Sequence, residues 1–399
     1  MTDMVREDAL TIAREAIAAV LPEAAVREAL KRAPFMTGAG RVVLVAIGKA
    51  AWRMAKAAAE ILGERCDRGV VITKYHHNMG PIGDFEIHEA GHPIPDDNTV
   101  RATERALAAV EGLKKEDTVL FLVSGGGSAL FERPREGLNL SDIVSVTDQL
   151  LACGADIVEI NMIRKRLSAV KAGRFAVLAS PASVYAIVLS DVLGDRLDSI
   201  ASGPAHPDAS TAEDALRVVA KYGLDLPEQV RRALDEETPK TVDNVTSVIA
   251  GSVGALCHAA LAAAERLGYR TLLLTTTLNC EAREAGSFIA SMAREIRSSG
   301  NPVAPPCAVL LGGETVVHLK GKGRGGRNQE IALAAAKGIA GLPRTAVLSV
   351  GSDGTDGPTD AAGGIVDGET ARLLAGAGVD LEKSLADNDS YHARAAGSS

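Results

Sequence analysis

Residues 118–133 read Thr-Val-Leu-Phe-Leu-Val-Ser-Gly-Gly-Gly-Ser-Ala-Leu-Phe-Glu-Arg. The run Thr118–Val123 is apolar and rich in β-branched residues, which predicts a strand buried in a parallel sheet. It ends at Ser124, and Gly125, Gly126 and Gly127 then lead to Ser128. Because glycine has no Cβ, this loop can adopt positive φ angles and let an anion approach its amides. The loop therefore predicts a phosphate-binding site at the end of a strand, or only a tight turn into a helix.

Composition and charge narrow the class of protein. The chain has 399 residues, 46% of them hydrophobic and 24% charged, which is typical of a globular protein of two to three domains. A formal net charge of −8 argues against non-specific nucleic-acid binding. The five cysteines form no CxxC pair, the N-terminus is too polar for a signal peptide, and no apolar run is long enough to cross a bilayer. We therefore expect a cytoplasmic protein without nucleic-acid or membrane partners.

The pattern of a buried strand followed by glycine and a charged or hydroxyl residue recurs along the chain. Besides Ser124, it places Lys49, Asp191, Glu314 and Asp353 just after predicted strands. In a doubly wound sheet the carboxyl ends of parallel strands face one ligand crevice, so these residues are expected to converge. Basic side chains, glycine-rich loops and carboxylates suited to Mg²⁺ are together what phosphoryl transfer requires.

Further candidate residues lie away from the strand ends. Residues 159–175 predict one basic helix, on which Arg164, Ser168 and Lys171 share a face. This face suits a small carboxylate or phosphate substrate, although a solvated basic face is the more common explanation of such a run. His92, in a proline-rich turn, either lines a pocket or is an ordinary hydrogen-bonded loop histidine.

Three stretches predict features of the framework. Residues 5–32 have apolar side chains at helical spacing and predict a helix. Residues 315–320 alternate apolar and polar side chains, which predicts a half-exposed strand. Residues 225–245 are rich in charge and contain two prolines, which is typical of a domain boundary.

One glycine pattern resembles a dinucleotide-binding fingerprint. Gly321, Gly323 and Gly326 have the required spacing between a predicted strand and a predicted helix. However, the intervening residues are basic, and no acidic residue ends a following strand about 20 residues further on. We therefore interpret this loop as a basic anion clamp centred on Arg324 and Arg327, with Asn328 as the N-cap of the next helix.

Seven motifs, in order along nearly the whole chain, resemble those of the class II glycerate 2-kinases, the MOFRL family. They are Val123-Ser-Gly-Gly-Gly-Ser-Ala, Asn161-Met-Ile-Arg-Lys-Arg-Leu-Ser, Ser190-Asp-Val-Leu-Gly-Asp, Ala201-Ser-Gly-Pro, Gly312-Gly-Glu-Thr, Gly323-Arg-Gly-Gly-Arg-Asn-Gln-Glu and Gly351-Ser-Asp-Gly-Thr-Asp-Gly. The resemblance implies ATP- and Mg²⁺-dependent phosphorylation of D-glycerate to 2-phosphoglycerate. It also implies an α/β fold: a Rossmann-like, three-layer α/β/α domain over residues 1–238, a smaller α/β domain over 239–399, and an active site in the cleft between them.

The resemblance assigns the catalytic roles to three residues. Lys49 and Arg327 would stabilise the transferring phosphate, and Asp191 would orient or deprotonate the glycerate 2-hydroxyl or hold the metal. Glu314 and Asp353 would hold Mg²⁺ or the nucleotide.

The remaining assignments concern ligand binding. The glycine loop Ser124, Gly125, Gly126, Gly127 and Ser128 would contact phosphate or the substrate carboxylate. The loop carrying Gly351 and Asp356 would contact the nucleotide. Arg164, Lys171 and His92 would contact the substrate.

Two departures from the family pattern accompany the resemblance. The chain has Ala172 where the family has glycine, and it lacks a glycine-rich segment expected after Tyr391. Two other functions therefore compete with the kinase: a hydroxypyruvate reductase using NAD(P)H, and a catalytically weakened ligand-binding relative. The expected partners are D-glycerate and ATP, with a homodimer as one option for the assembly.

Overall fold

The computed structural model describes residues 2–38, 40–190 and 196–396. Its strands are β1 (Val42–Ile47), β2 (Cys66–Lys74), β3 (Glu86–Ala90), β4 (Thr118–Val123), β5 (Ser183–Leu189), β6 (Val245–Gly251), β7 (Arg270–Leu278), β8 (Cys307–Gly313), β9 (Ala346–Val350) and β10 (Gly363–Asp367). Its helices are α1 (Thr2–Val20), α2 (Pro22–Lys31), α3 (Ala51–Leu62), α4 (Asp97–Val110), α5 (Gly127–Leu130), α6 (Leu140–Ala152), α7 (Ile157–Leu167), α8 (Arg174–Ala179), α9 (Ala212–Tyr222), α10 (Glu228–Asp235), α11 (Val253–Arg266), α12 (Ala282–Ser299), α13 (Arg327–Gly338), α14 (Thr370–Gly376), α15 (Leu381–Ala386) and α16 (Ser390–Ala396).

The larger of two compact units, Leu21–Ser252, is built on a parallel sheet. Within the described residues, strands β1 to β6 pair in the order β3-β2-β1-β4-β5-β6, which is the strand order of a Rossmann fold. Val43, Val45 and Ile47 of β1 belong to one hydrophobic cluster, and the alternate residues of β1 belong to another. Helix α4 packs on the first face and α3 on the second, so the predicted three-layer α/β/α arrangement is confirmed.

The smaller unit joins Met1–Val20 to Val253–Ser399. It contains the parallel pair β7–β8 and the antiparallel pair β9–β10, with α12 and α13 packed together. Its alanine-rich core includes Ala290, Ala335 and Ala336. The prediction of a smaller α/β C-terminal domain is thus confirmed.

The limits of the units differ from the predicted limits at 238 and 239. Strand β6 belongs to the larger unit because it pairs in parallel with β5 along the edge of the sheet. Helix α1 belongs to the smaller unit because it packs on α11, and the Tyr269 hydroxyl donates to Asp8 at 2.5 Å. The predicted active-site cleft concerns the placement of one unit against the other and stays a prediction.

Two predicted helices are divided in the structure. Residues 5–32 form α1 and α2, because Pro22 begins the second helix and Leu21 before it is extended (φ −54°, ψ 145°). Residues 159–175 form α7 and α8, because Ser168 is also extended (φ −96°, ψ 140°). The predicted strand over residues 315–320 is absent from the described residues apart from one bridge at Val316. No helix in the described part of the chain has the length and apolar character needed to cross a membrane.

Candidate active site

The loops after β1 and β4 lie side by side at the carboxyl edge of the parallel sheet. Ile47 pairs with Val123 in the register of the two strands. In the order β3-β2-β1-β4-β5-β6 the direction of winding reverses between these strands, which is where Rossmann folds bind ligands. The first loop carries Lys49 and the second carries the glycine segment 124–128. The topology therefore brings together two of the groups that the sequence predicts at one site.

A short backbone framework fixes Lys49 above the end of β1. Gly48 has φ +110°, and a Cβ there would lie 2.3 Å from the Ser124 Oγ, so only glycine fits. The Lys49 amide donates to the carbonyl of Gly125 at 2.9 Å. The buried Ser124 hydroxyl donates to the Ile47 carbonyl and accepts from the Ala50 amide. Ser124, predicted to contact phosphate, thus holds the two loops together.

The glycine segment offers unused donors next to exposed Lys49. Among the described residues, the amides of Gly125, Gly126 and Ser128 have no hydrogen-bond acceptor. No described carboxylate lies within ion-pair distance of the Lys49 ammonium group. Gly126 has φ +85°, and a Cβ there would lie 3.2 Å from the Lys49 Cγ. Donors without acceptors beside an unpaired ammonium group favour binding of an anion.

His92, two residues after β3, lies against the glycine segment. Its ring lies over Gly126, because a Cβ at that glycine would lie 3.0 Å from the His92 Nε2. Burial lowers the pKa of His92, and the charges of Lys49, Lys74 and His77 lower it further. The imidazole is therefore kept neutral, so it can accept one hydrogen bond and donate another. Lys74 ends β2 and His77 lies three residues further on, so the strand-end rule that singled out Lys49 could have found them too.

Arg164 of α7 reaches the same segment from the side. Its Nη2 donates to the carbonyl of Ser128 at 3.0 Å, while its buried Nε has no hydrogen-bond partner. Burial lowers its pKa, and the nearby Glu132 carboxylate works in the opposite direction. The Ser128 hydroxyl contacts the buried Ser202 hydroxyl at 3.0 Å, which donates to Asn161, also on α7. An arginine with an unused buried donor and no ion pair among the described residues suits a carboxylate or phosphate ligand.

Lys171, predicted to bind the substrate with Arg164, is fully buried and cannot contact a ligand from solvent. Its Nζ donates to the Phe131 carbonyl at 3.0 Å and forms an ion pair with buried Glu132. Burial lowers the pKa of Lys171 to about 8. Because α7 ends at Leu167, Lys171 does not share a helical face with Arg164. Lys171 therefore has a structural role, whereas substrate binding by Arg164 stays a prediction.

In the smaller unit, the predicted residues gather around the first turn of α13. Arg327 is the first residue of this helix and forms an ion pair with Glu314, which follows β8. A cation at a helix N-terminus faces unfavourable backbone dipoles, and a bound anion offsets them. Arg327 and Glu314 are both partly exposed, so a ligand can reach this pair.

Asp356 is buried and serves this helix rather than a nucleotide. Its Oδ1 accepts from the amide and side chain of Asn328, and its Oδ2 accepts from the amide and side chain of Gln329. The predicted N-cap, Asn328, is instead the second helical residue, and Gly326 occupies the cap position. Asp356 thereby replaces a capping side chain and fixes the helix turn that carries Arg327.

Asp353, three residues earlier, is exposed. Its Oδ1 accepts from the Thr355 amide at 3.1 Å, which leaves the other oxygen toward solvent. Gly351 lets this loop close, since a Cβ there would lie 2.7 Å from the Thr355 carbonyl oxygen. Of the two aspartates assigned to the nucleotide, Asp353 is accessible and Asp356 is not. Asp191, the predicted base or metal ligand, lies outside the described residues.

The dinucleotide-like glycine pattern has a structural explanation. A Cβ at Gly321 would lie 2.3 Å from the Asp387 Cα, and one at Gly323 would lie 2.4 Å from the Asp389 Cβ. One at Gly326 would lie 2.4 Å from the Asp356 Cγ. The glycines therefore allow close approach of protein atoms, and no strand leads into them within the described residues.

Comparisons with known proteins agree with the geometry. A profile described as a domain of unknown function (DUF4147) matches residues 8–235, and the MOFRL family matches residues 307–398. A D-glycerate 2-kinase of Thermotoga maritima is 55% identical over 96% of this chain and 91% of its own length. A glycerate 2-kinase of Pyrococcus horikoshii is 42% identical over 98% of this chain and 92% of its own length. A crystal structure of glycerate kinase from Thermotoga maritima superposes with a TM-score of 0.96 at 54% identity, covering 99% of this chain and 94% of that one. The chain belongs to the MOFRL family of glycerate 2-kinases, which confirms the resemblance of its motifs.

Proposed function

We propose that the protein transfers the γ-phosphoryl group of ATP to the 2-hydroxyl of D-glycerate, giving 2-phosphoglycerate and ADP. The observation that carries this proposal is the Lys49 ammonium group, which has no ion pair among the described residues, beside amides of the glycine segment that likewise lack acceptors there, at the strand-order reversal of the sheet. Such a group of fixed donors stabilises the charge of a transferring phosphoryl group, which is the main task in this chemistry.

The reaction forms one bond and breaks another at phosphorus. The glycerate 2-hydroxyl oxygen attacks the γ-phosphorus, and the bond from that phosphorus to the bridging oxygen breaks as ADP leaves. Lys49 and Arg327 are assigned to the charge on the phosphoryl oxygens. The hydroxyl proton passes to a base, a role that the family motif gives to Asp191, outside the described residues.

Arg164 is assigned to the glycerate carboxylate. Its Nη2 is held by the Ser128 carbonyl, and its Nη1 has no acceptor among the described residues. A guanidinium group can donate two parallel hydrogen bonds to a carboxylate, which fixes the orientation of the substrate as well as binding it. The neutral imidazole of His92 suits a substrate hydroxyl, because it can accept that hydrogen bond without a charge.

The described residues fit a magnesium ion only with help from the nucleotide. Among them, no group of three or more histidine, cysteine, aspartate or glutamate side chains is arranged to hold a metal. In kinases Mg²⁺ is commonly held by one or two carboxylates together with the phosphates. Exposed Asp353 fits that role, and Glu314 would have to give up its contact with Arg327 to join it. The ion would supply charge neutralisation of the phosphates.

The decisive experiment mixes the protein with D-glycerate, ATP and Mg²⁺ and couples the product to enolase. Because enolase accepts 2-phosphoglycerate, a signal without a mutase identifies both the reaction and the hydroxyl attacked. Lys49→Ala and Arg327→Ala should each lower kcat by about 10²- to 10³-fold. Lys56→Ala, which removes a lysine of α3 paired with Glu60, should leave it unchanged.

The competing functions give different results in the same experiment. Production of ADP without an enolase signal would indicate that a hydroxyl other than the 2-hydroxyl is phosphorylated. Absence of both would refute the kinase, and NADH with hydroxypyruvate would then test the reductase. Binding of ATP or D-glycerate without turnover would identify the weakened relative. The reductase has less support, because the glycines of its fingerprint are explained by packing against residues 387–389 and Asp356.

A further inference from the structure

In the loop of residues 321–326, the amides of residues 321–324 are already bound by protein oxygens. The turn of residues 387–389 supplies them: the Asp387 Oδ1 accepts from the Lys322 amide and the Asp389 Oδ1 from the Arg324 amide, both at 3.0 Å. The buried Asn388 side chain accepts from the amides of Lys320 and Gly321. Since these amides already have acceptors, an anion at residues 321–324 must be bound by side chains.

The side chain of Arg324 is immobilised although it lies at the surface. Its Nε donates to the Pro358 carbonyl at 2.8 Å, and its guanidinium carbon lies 5.0 Å from the centre of the Tyr391 ring. The Arg324 carbonyl accepts from the Tyr391 amide at 2.9 Å. The Tyr391 hydroxyl donates to Asp360 at 2.7 Å, which fixes the ring in turn.

This immobilised guanidinium group has no ion pair within the described residues. Asp389 contacts the Arg324 backbone rather than its guanidinium group: its Oδ1 accepts from the Arg324 amide and also contacts the His392 ring. Burial tends to raise the pKa of Asp389, but these hydrogen bonds outweigh it and lower the pKa. Both terminal nitrogens of Arg324 lack an acceptor in the described parts of the chain. Arg327, in contrast, is paired with Glu314.

A fixed guanidinium group with free terminal nitrogens is preorganised to bind a phosphate group. It presents parallel donors to phosphate oxygens, and the aromatic face holds it without neutralising it. The entropy that a mobile surface arginine loses on binding is here lost before the ligand arrives. We infer that Arg324 binds a phosphate group of the nucleotide and that Tyr391 is the residue that positions it. This inference rests on the proposed kinase function.

Binding measurements on the whole protein test the inference without turnover. Isothermal titration with a non-hydrolysable ATP analogue and Mg²⁺ should show affinity about ten- to a hundredfold lower for Arg324→Gln, because hydrogen bonds to charged groups are lost. Adenosine affinity and the KM for D-glycerate should not change, because the loss concerns phosphate. Arg372→Gln, which removes an exposed arginine paired with Glu369 in the same unit, is the matched control.

The role of Tyr391 is tested by the ring and the hydroxyl separately. Tyr391→Phe keeps the ring over Arg324 and should bind the analogue like the unaltered protein, whereas Tyr391→Leu should bind it several-fold more weakly. The double variant Arg324→Gln/Tyr391→Leu should be no weaker than Arg324→Gln alone. Unchanged affinity in Arg324→Gln, additive losses in the double variant, or a loss confined to D-glycerate would each overturn the inference. Kinase activity of the unaltered protein is measured apart, so failure of the proposed function is recognised separately.

Discussion

Replacement of Asp356 should destabilise the smaller unit, whereas replacement of Asp353 should not. Asp356→Ala removes four hydrogen bonds to a buried carboxylate. The two from backbone amides act as helix caps, and the two from side chains leave buried amides without an acceptor. Together they are worth about 4–5 kcal/mol. Asp356→Asn keeps one acceptor oxygen and should cost about 2 kcal/mol. Asp353→Asn loses one exposed contact and should cost less than about 0.5 kcal/mol.

The two units can be followed by different signals in one denaturation experiment. Trp52, the only tryptophan in the sequence, lies on α3 of the larger unit, so its fluorescence reports that unit. Hydrogen exchange of peptides from α13 reports the smaller one. We expect Asp356→Ala to speed exchange in α13 and leave the fluorescence midpoint unchanged, and Asp353→Asn to lower kcat with normal exchange. Equal effects of the two substitutions on exchange would refute the distinction drawn between these aspartates.

Three further substitutions test the larger unit. Lys49→Ala should raise the pKa of His92, observed by NMR, because burial and the Lys49 charge both lower it; an unchanged value would remove Lys49 from the surroundings of that ring. Because the pKa of His92 is lower in the folded than in the unfolded state, the unfolded chain binds the proton more strongly. The free energy of unfolding should therefore decrease as the pH falls below 6.5. Lys171→Met should destabilise this unit by about 3–5 kcal/mol, measured by urea denaturation, because Glu132 is left as an unpaired buried charge. The double variant Lys171→Met/Glu132→Leu should recover most of the lost stability, and no recovery would contradict the pairing. Arg164→Ala should raise the KM for D-glycerate about tenfold or more with little change in the KM for ATP, and the reverse pattern would assign Arg164 to the nucleotide.

The sequence was sufficient where one continuous pattern determined an element. The apolar runs of β1 and β4 are buried on both faces, and the predicted ends of β4, Thr118 and Val123, agree with the structure to the residue. Strand β3 escaped prediction because the edge sequence Glu86–Ala90 has no such run. Strand β10 begins with two glycines and escaped for a similar reason.

Side-chain roles depended on partners that lie far away in the chain. Lys171 and Arg164 looked alike in sequence, but Lys171 is paired with buried Glu132, whereas Arg164 has no ion pair among the described residues. Asp353 and Asp356 share one motif, yet the closing of the loop onto α13 buries the second. The motifs therefore indicated which residues to consider for the candidate site, whereas burial and hydrogen bonding are what distinguish their individual roles.

The packing of α1 on α11 imposes an order on the folding of the protein during its synthesis. Helix α1 is synthesised before the larger unit, but its partner begins only at Val253, after the whole of that unit. The larger unit can therefore fold during synthesis, before α11 is available to cover the apolar side chains of α1. Until α11 is synthesised, the face of α1 that packs on it stays uncovered, and completion of the last third of the chain is needed to bury it.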